Sequence, residues 1–227
     1  SMGIDCADVT GDGFADVIHC GATGVQGWSG GPVSASAGLL FHRNQGTTSP
    51  VTFSSQTLDA GNFYDCKFAD VNSDGKFDVV ALGQTQLKVW LNGIFPNPLG
   101  TFSAGPVSAL AAGSSYPSQM TIGRFNSGAI LDVAYGVPYP GGAGSTGKAY
   151  TMIGNGSGGF TLQGQATSQL NSFGGSYGVP AIASGDSDGD GRDEIMTAVG
   201  FNYGYYQGNA AYYTQPDTSG NFGAFAT

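Results

Sequence analysis

Asp186-Ser187-Asp188-Gly189-Asp190-Gly191-Arg192-Asp193-Glu194 places four acids at positions 1, 3, 5 and 9 of one short window, and the apolar pair Ile195-Met196 follows directly. The same frame recurs from Asp8 to Asp16 before Val17-Ile18, and from Asp70 to Asp78 before Val79-Val80. A fourth, worn copy runs from Arg124 to Asp132 before Val133-Ala134. The copies start at 8, 70, 124 and 186, so they stand 62, 54 and 62 residues apart. Self-similarity at such a period marks an array of supersecondary units.

Working outward from each window, a second landmark appears: an aromatic after a turn, at Phe53, Phe102, Phe160 and Phe222. Between the landmarks lie short strand-like runs at 39–42, 87–91, 149–153 and 210–213. Each unit therefore reads as four short strands, the first running into the acidic loop and the second leaving it. Four strands per unit, at a repeat slightly longer than roughly 40–50 residues, predict an all-β chain of four-stranded antiparallel propeller blades. Setting aside Ser1-Met2 as a scar of tag removal, residues 3–227 make one domain, with repeats at about 4–58, 62–110, 116–170 and 177–227. Four repeats leave an open arc of a larger propeller or a small ring. The open arc is the expectation, with self-association covering its end strands.

Composition agrees with this reading. Forty glycines and only 10% charged residues in 227 positions starve the chain of helix formers. Hydrophobic residues at 40% supply a core and argue against disorder. No apolar run reaches the ~20 residues that span a bilayer, so membrane insertion is not expected. A net charge of -9 disfavours nucleic acid, which needs clustered Lys and Arg. Cys6, Cys20 and Cys66 are too few for a disulfide scaffold and read first as small apolar residues in strands. The alternative is a Cys6–Cys20 disulfide across the first predicted hairpin, leaving Cys66 over.

Ten of the sixteen acids stand at positions 1, 3, 5 or 9 of the three intact loops. In a looped backbone alternate side chains converge, and a carbonyl at position 7 adds another oxygen. Five or six hard oxygens suit Ca²⁺, with its 6–8 ligands, and the glycine at position 6 permits the sharp turn. The candidate ligands are Asp8, Thr10, Asp12, Phe14 (by its carbonyl) and Asp16; Asp70, Asn72, Asp74, Lys76 (carbonyl) and Asp78; and Asp186, Asp188, Asp190, Arg192 (carbonyl) and Glu194. Two to three calcium ions follow, weakest at 8–16, where Thr10 replaces an acid. Loop 124–132 should bind nothing, with the Arg124 guanidinium placed to reach Asp132. An EF-hand is excluded, because position 12 is His19, Ala81 or Thr197 rather than glutamate.

The D-x-[DNT]-x-D-G-x-x-[DE] loop in three copies of four resembles the FG-GAP or VCBS repeat of integrin-type β-propellers, over essentially the whole chain. That resemblance implies calcium in the hairpin joining the first two strands of a blade. The family hosts lectins, adhesion modules and non-catalytic parts of polysaccharide-degrading enzymes, so activity must be argued from sites.

On the face opposite the acidic hairpins the sequence collects aromatics among glycines. Trp28, Tyr139, Tyr203, Tyr205 and Tyr206 fall in predicted loops between second and third strands; Tyr64, Tyr116 and Tyr177 fall between blades. Aromatic rings stack on sugar C–H faces, while Asn, Gln and Ser bind hydroxyls. Catalytic signatures are poor: His19 and His42 lie in predicted strands without a nucleophile nearby in sequence, and no nucleophile elbow or phosphate loop occurs. Asp5, Asp59, Asp65 and Asp217 outside the loops leave a paired-carboxylate glycosidase open. The expected function is a secreted or surface-exposed, calcium-stabilised, non-catalytic module that binds glycan or polysaccharide. The alternatives are a protein-interaction or adhesion module, and then a polysaccharide lyase or hydrolase.

Overall fold

The computed structural model describes residues 3–21, 38–93, 98–114, 117–137, 148–167, 181–203 and 206–222. These residues form β-strands and turns, with no helix among them. The strands build four antiparallel sheets, each a simple meander in chain order. Sheet one holds β1 (Ile4–Ala7), β2 (Asp16–Gly21), β3 (Gly38–Asn44) and β4 (Phe53–Asp59). Sheet two holds β5 (Phe63–Ala69), β6 (Asp78–Gly83), β7 (Gln86–Asn92) and β8 (Phe102–Ala109). Sheet three holds β9 (Met120–Gly123), β10 (Asp132–Val137), β11 (Lys148–Gly154) and β12 (Phe160–Thr167). Sheet four shows three strands, β13 (Ala181–Gly185), β14 (Glu194–Tyr203) and β15 (Tyr206–Thr214). The fourth strand expected to follow Phe222 falls at 223–227, outside the described residues.

Burial follows from sequence order. The second strands β6 and β10 are buried along their whole length, as an apolar run such as Val79-Val80-Ala81-Leu82 requires when both faces are covered. One core joins sheets one and two through Ile18, Cys20, Leu39, Phe41, Phe63, Cys66, Val79 and Trp90. A second joins sheets two and three through Val80, Leu82, Leu87, Val133, Tyr135, Tyr150 and Met152. Sheet four packs through β13 onto β9 and β10. Stacking thus runs in chain order. At its two ends apolar side chains face solvent: Ile4 of sheet one is 67% exposed and Met196 of sheet four 56%.

The alternative of a Cys6–Cys20 bridge is excluded. Cys6 pairs with Val17 across β1 and β2, so it shares the outward face with Val17, whereas Cys20 points into the core. All three cysteines are free thiols, and side chains on opposite faces of a sheet cannot meet in a disulfide.

Candidate metal centre

In all four sheets the nine-residue window forms the hairpin loop between the first two strands, and its position 9 is the first residue of the second strand. The three intact loops share one internal wiring. The position 1 carboxylate accepts backbone N–H groups from across the loop: Asp8 from Gly11 (2.7 Å) and Gly13 (2.8 Å), Asp70 from Asp74 (3.1 Å) and Gly75 (2.9 Å), Asp186 from Gly189 (2.6 Å) and Gly191 (2.9 Å). The position 6 glycines sit at φ 86° (Gly13), 81° (Gly75) and 86° (Gly191), a left-handed conformation that favours glycine. Loop 124–132 has Ala129 at that position and no residue at positive φ. Its backbone takes a different path, and Arg124 forms no ion pair with Asp132 among the described residues. The carboxylate there is instead held by backbone donors.

The position 5 aspartate pairs with a protein cation in each intact loop. Asp12 pairs with Arg43 at 3.6 Å, Asp74 with Lys76 at 3.0 Å and Asp190 with Arg192 at 2.5 Å. Asp190 is held below the usual carboxylate range first by the Arg192 guanidinium, and Asp12 first by the Phe14 N–H. Thr10, at position 3 of the first loop, lies with its methyl towards Gly100. The position 7 residues donate their N–H groups to position 5: Phe14 to Asp12, Lys76 to Asp74 and Arg192 to Asp190. One acidic charge in each intact loop is therefore balanced within the chain.

Position 9 separates the loops. Asp16 accepts the N–H of Val9 (3.1 Å) and of Asn44 (2.9 Å). Asp78 accepts those of Val71 (3.3 Å) and Asn92 (2.9 Å). Asp132 accepts those of Phe125 (2.9 Å) and Gly154 (2.9 Å). In each case one donor is position 2 of the loop and the other closes the third strand. All three carboxylates are fully buried. Burial pushes Asp78 up to about 6 and raises Asp132, against the pull of those N–H groups. Each of these carboxylates ties a loop to a third strand, with both oxygens engaged.

Glu194 departs from this pattern. Its Oε2 accepts from Ser187, by the N–H at 2.7 Å and the hydroxyl at 2.5 Å. Its Oε1 is buried and has no hydrogen-bond partner. The register explains why. Val17, Val79 and Val133 pair with His42, Trp90 and Met152, and the donor stands two residues further on. Ile195 pairs with Thr214, so the same place in sheet four is Pro216, which has no N–H. Asp186, Asp188 and Glu194 bring carboxylate oxygens within 4.8 Å of one another, Glu194 buried and the two aspartates exposed. No other group of three possible metal-ligating acids, histidines or cysteines converges so closely among the described residues. Gln215 bridges Asp188 (3.2 Å) and Asp190 (3.0 Å) from the side. Three anionic groups, one of them with a bare buried oxygen, fit a hard divalent cation, because an unpartnered carboxylate oxygen is costly to bury.

The other acids are structural. Asp5 accepts the N–H of Phe68 at 2.9 Å and joins sheets one and two; Asp65 accepts that of Met120 at 2.8 Å and joins sheets two and three. Asp193 joins sheets three and four, its carboxylate accepting the Arg124 N–H at 2.6 Å and its own N–H donating to the Arg124 carbonyl at 2.7 Å. Asp59 pairs with Lys88 at 2.9 Å, and Asp217 accepts the N–H groups of Ser219 and Asn221 within a turn. Sequence reasoning missed these inter-sheet ties, since their partners lie 63, 55 and 69 residues away.

Of the ligand-face aromatics, Tyr64 lies in β5 at 5% exposure, which leaves it little surface to offer. Tyr203 and Tyr206 are cross-strand partners at the tip of the β14–β15 hairpin rather than loop residues. Trp28, Tyr116, Tyr139, Tyr177 and Tyr205 lie outside the described residues. Beside loop 186–194, Arg192, Gln215, Asn221 and Phe222 help line a groove of about 510 Å³. Compared with models of protein families and with curated proteins, the chain matches none.

Proposed function

We propose that this chain is a β-propeller module of the FG-GAP or VCBS kind that binds Ca²⁺ at loop 186–194 and carries carbohydrate-binding loops without catalysis of its own. The observation that supports the cation is the bare, buried Oε1 of Glu194 beside Asp186 and Asp188. Calcium suits this set better than magnesium, which keeps several waters and demands near-ideal octahedral geometry. Loops 8–16 and 70–78, whose position 9 carboxylates are fully committed to backbone donors, bind more weakly. Support for carbohydrate comes from the glycine-flanked aromatics of the sequence; the polar groove beside loop 186–194, which Phe222, Gln215 and Asn221 help line, is a separate candidate surface. Secretion or surface display accords with millimolar extracellular calcium and with the loop type.

Calorimetric titration with Ca²⁺ and a glycan array with and without EGTA test the two halves separately. One tight calcium-binding event lost in Glu194→Gln is the expected result, together with chelator-sensitive glycan capture. Calcium binding without capture of any glycan would leave the cation reading and remove the carbohydrate one. A protein-interaction module is the second reading, favoured by the exposed Ile4 and Met196 at the ends of the sheet stack. Sedimentation velocity showing self-association would favour it.

A further inference from the structure

The chain contains two histidines, and the fold brings them together. His42 Nε2 lies 2.8 Å from His19 Nδ1, the rings are nearly parallel at 6°, and their centroids are 4.8 Å apart. His42 Nδ1 lies 2.7 Å from the Ser55 hydroxyl. Both rings are half-buried on the outward face of sheet one.

Repeat geometry shows that packing does not demand histidine there. The place of His19, three residues past position 9, is Ala81 in sheet two, Tyr135 in sheet three and Thr197 in sheet four. The place of His42, across from the residue after position 9, is Trp90, Met152 or Thr214. All six of those side chains are buried, in sheets that each pack against the sheet before them. Sheet one comes first in the stack. Its two corresponding positions hold imidazoles facing outward.

We propose that His19 and His42 form a second metal site, for a borderline divalent transition ion such as Zn²⁺, Ni²⁺ or Cu²⁺, separate from the carboxylate site of sheet four. Imidazole nitrogens bind such ions at about 2.0–2.1 Å, and two of them at 90–109° around one ion stand about 2.9–3.3 Å apart. The pair at 2.8 Å needs to open by only a few tenths of an ångström. With the ion on His42 Nε2, the proton moves to Nδ1, which donates to the Ser55 oxygen. That is the outer hydrogen bond that fixes a ligating imidazole. Calcium has no place there, because it takes oxygen ligands. Copper should bind tightest of the three.

The test uses tag-free Cys6→Ser protein, because the exposed Cys6 thiol lies across Val17 from His42 and would bind soft ions by itself. Ni²⁺ and Zn²⁺ are titrated by calorimetry with Ca²⁺ in excess to occupy the acidic loop, and Cu²⁺ is followed by EPR. One equivalent bound, weakened at least tenfold in His19→Ala and in His42→Gln but unchanged in Glu194→Gln, is expected, with two nitrogens coupled to copper. Circular dichroism confirms that each variant folds, and either histidine variant suffices if the other does not. Binding that is absent, or equal with and without the histidines, overturns the proposal.

Discussion

Pro216 occupies, beside Glu194, the register position from which Asn44, Asn92 and Gly154 donate an N–H to the equivalent carboxylate in the other three sheets. A proline cannot donate, and the Glu194 Oε1 is left bare. One missing backbone hydrogen thus separates a carboxylate with both oxygens tied to strands from one with an oxygen left unpartnered.

Restoring that hydrogen tests the relation. Pro216→Ala supplies an N–H for Oε1, so calcium affinity should fall while the chelated protein becomes no less stable. Glu194→Gln should weaken calcium by at least tenfold, or about 1.4 kcal/mol. Calorimetric titration checks both; unchanged affinity in both variants would remove Glu194 from the site.

The tying carboxylates should behave in the opposite way. Asp78→Ala leaves the N–H groups of Val71 and Asn92 without their acceptor, and Asp132→Ala does the same to Phe125 and Gly154. Each orphaned buried donor costs about 1–3 kcal/mol. Urea denaturation should therefore show a loss of about 2–6 kcal/mol, equal in EGTA and in calcium. A loss seen only with calcium would make these residues ligands instead.

Thiol labelling reports the placement of the cysteines. Cys6 is exposed, whereas Cys20 and Cys66 are fully buried in the core between sheets one and two. Contact with Cys20, and then burial, push the Cys66 thiol up, away from the reactive thiolate. Iodoacetamide under reducing conditions should add one label to the native protein and three to the unfolded one, read by intact mass.

Acid should weaken sheet one through its histidines. Burial, and then the neighbouring His19, lower the pKa of His42 below its ordinary value near 6.5. The folded state disfavours the imidazolium, so this contribution is complete above the unfolded pKa and is lost as pH falls through the folded one. Urea midpoints at pH 7.5 and pH 5 should differ more for the parent than for His42→Gln. Equal differences would mean that the pair carries no pH dependence.

Local pattern made much of the architecture legible. The windows starting at 8, 70 and 186 are hairpin loops because their Gly and Asp positions act within nine residues, the worn window at 124 is one too by a different backbone path, and strands β4, β8 and β12 begin at Phe53, Phe102 and Phe160 as the landmarks indicated. The predicted run 210–213 instead became part of a longer strand, Tyr206–Thr214, in a hairpin that absorbed the expected aromatic loop.

Charge spacing alone marked three loops as cation sites and ranked 8–16 weakest for Thr10 at position 3, since the type and alternation of side chains are all that spacing records. Register distinguished them. The donor to position 9 comes from 28, 14 or 22 residues away in the first three sheets, because the intervening turns differ in length while strand pairing stays constant. No fixed sequence offset could therefore single out Pro216. The meeting of His19 with His42, and the ties made by Asp5, Asp65 and Asp193, depend likewise on which strand lies beside which. Turn chemistry and strand periodicity are short-range properties, written in the residues themselves. Which buried oxygen finds a hydrogen, and which is left without one, is settled only when distant strands pair.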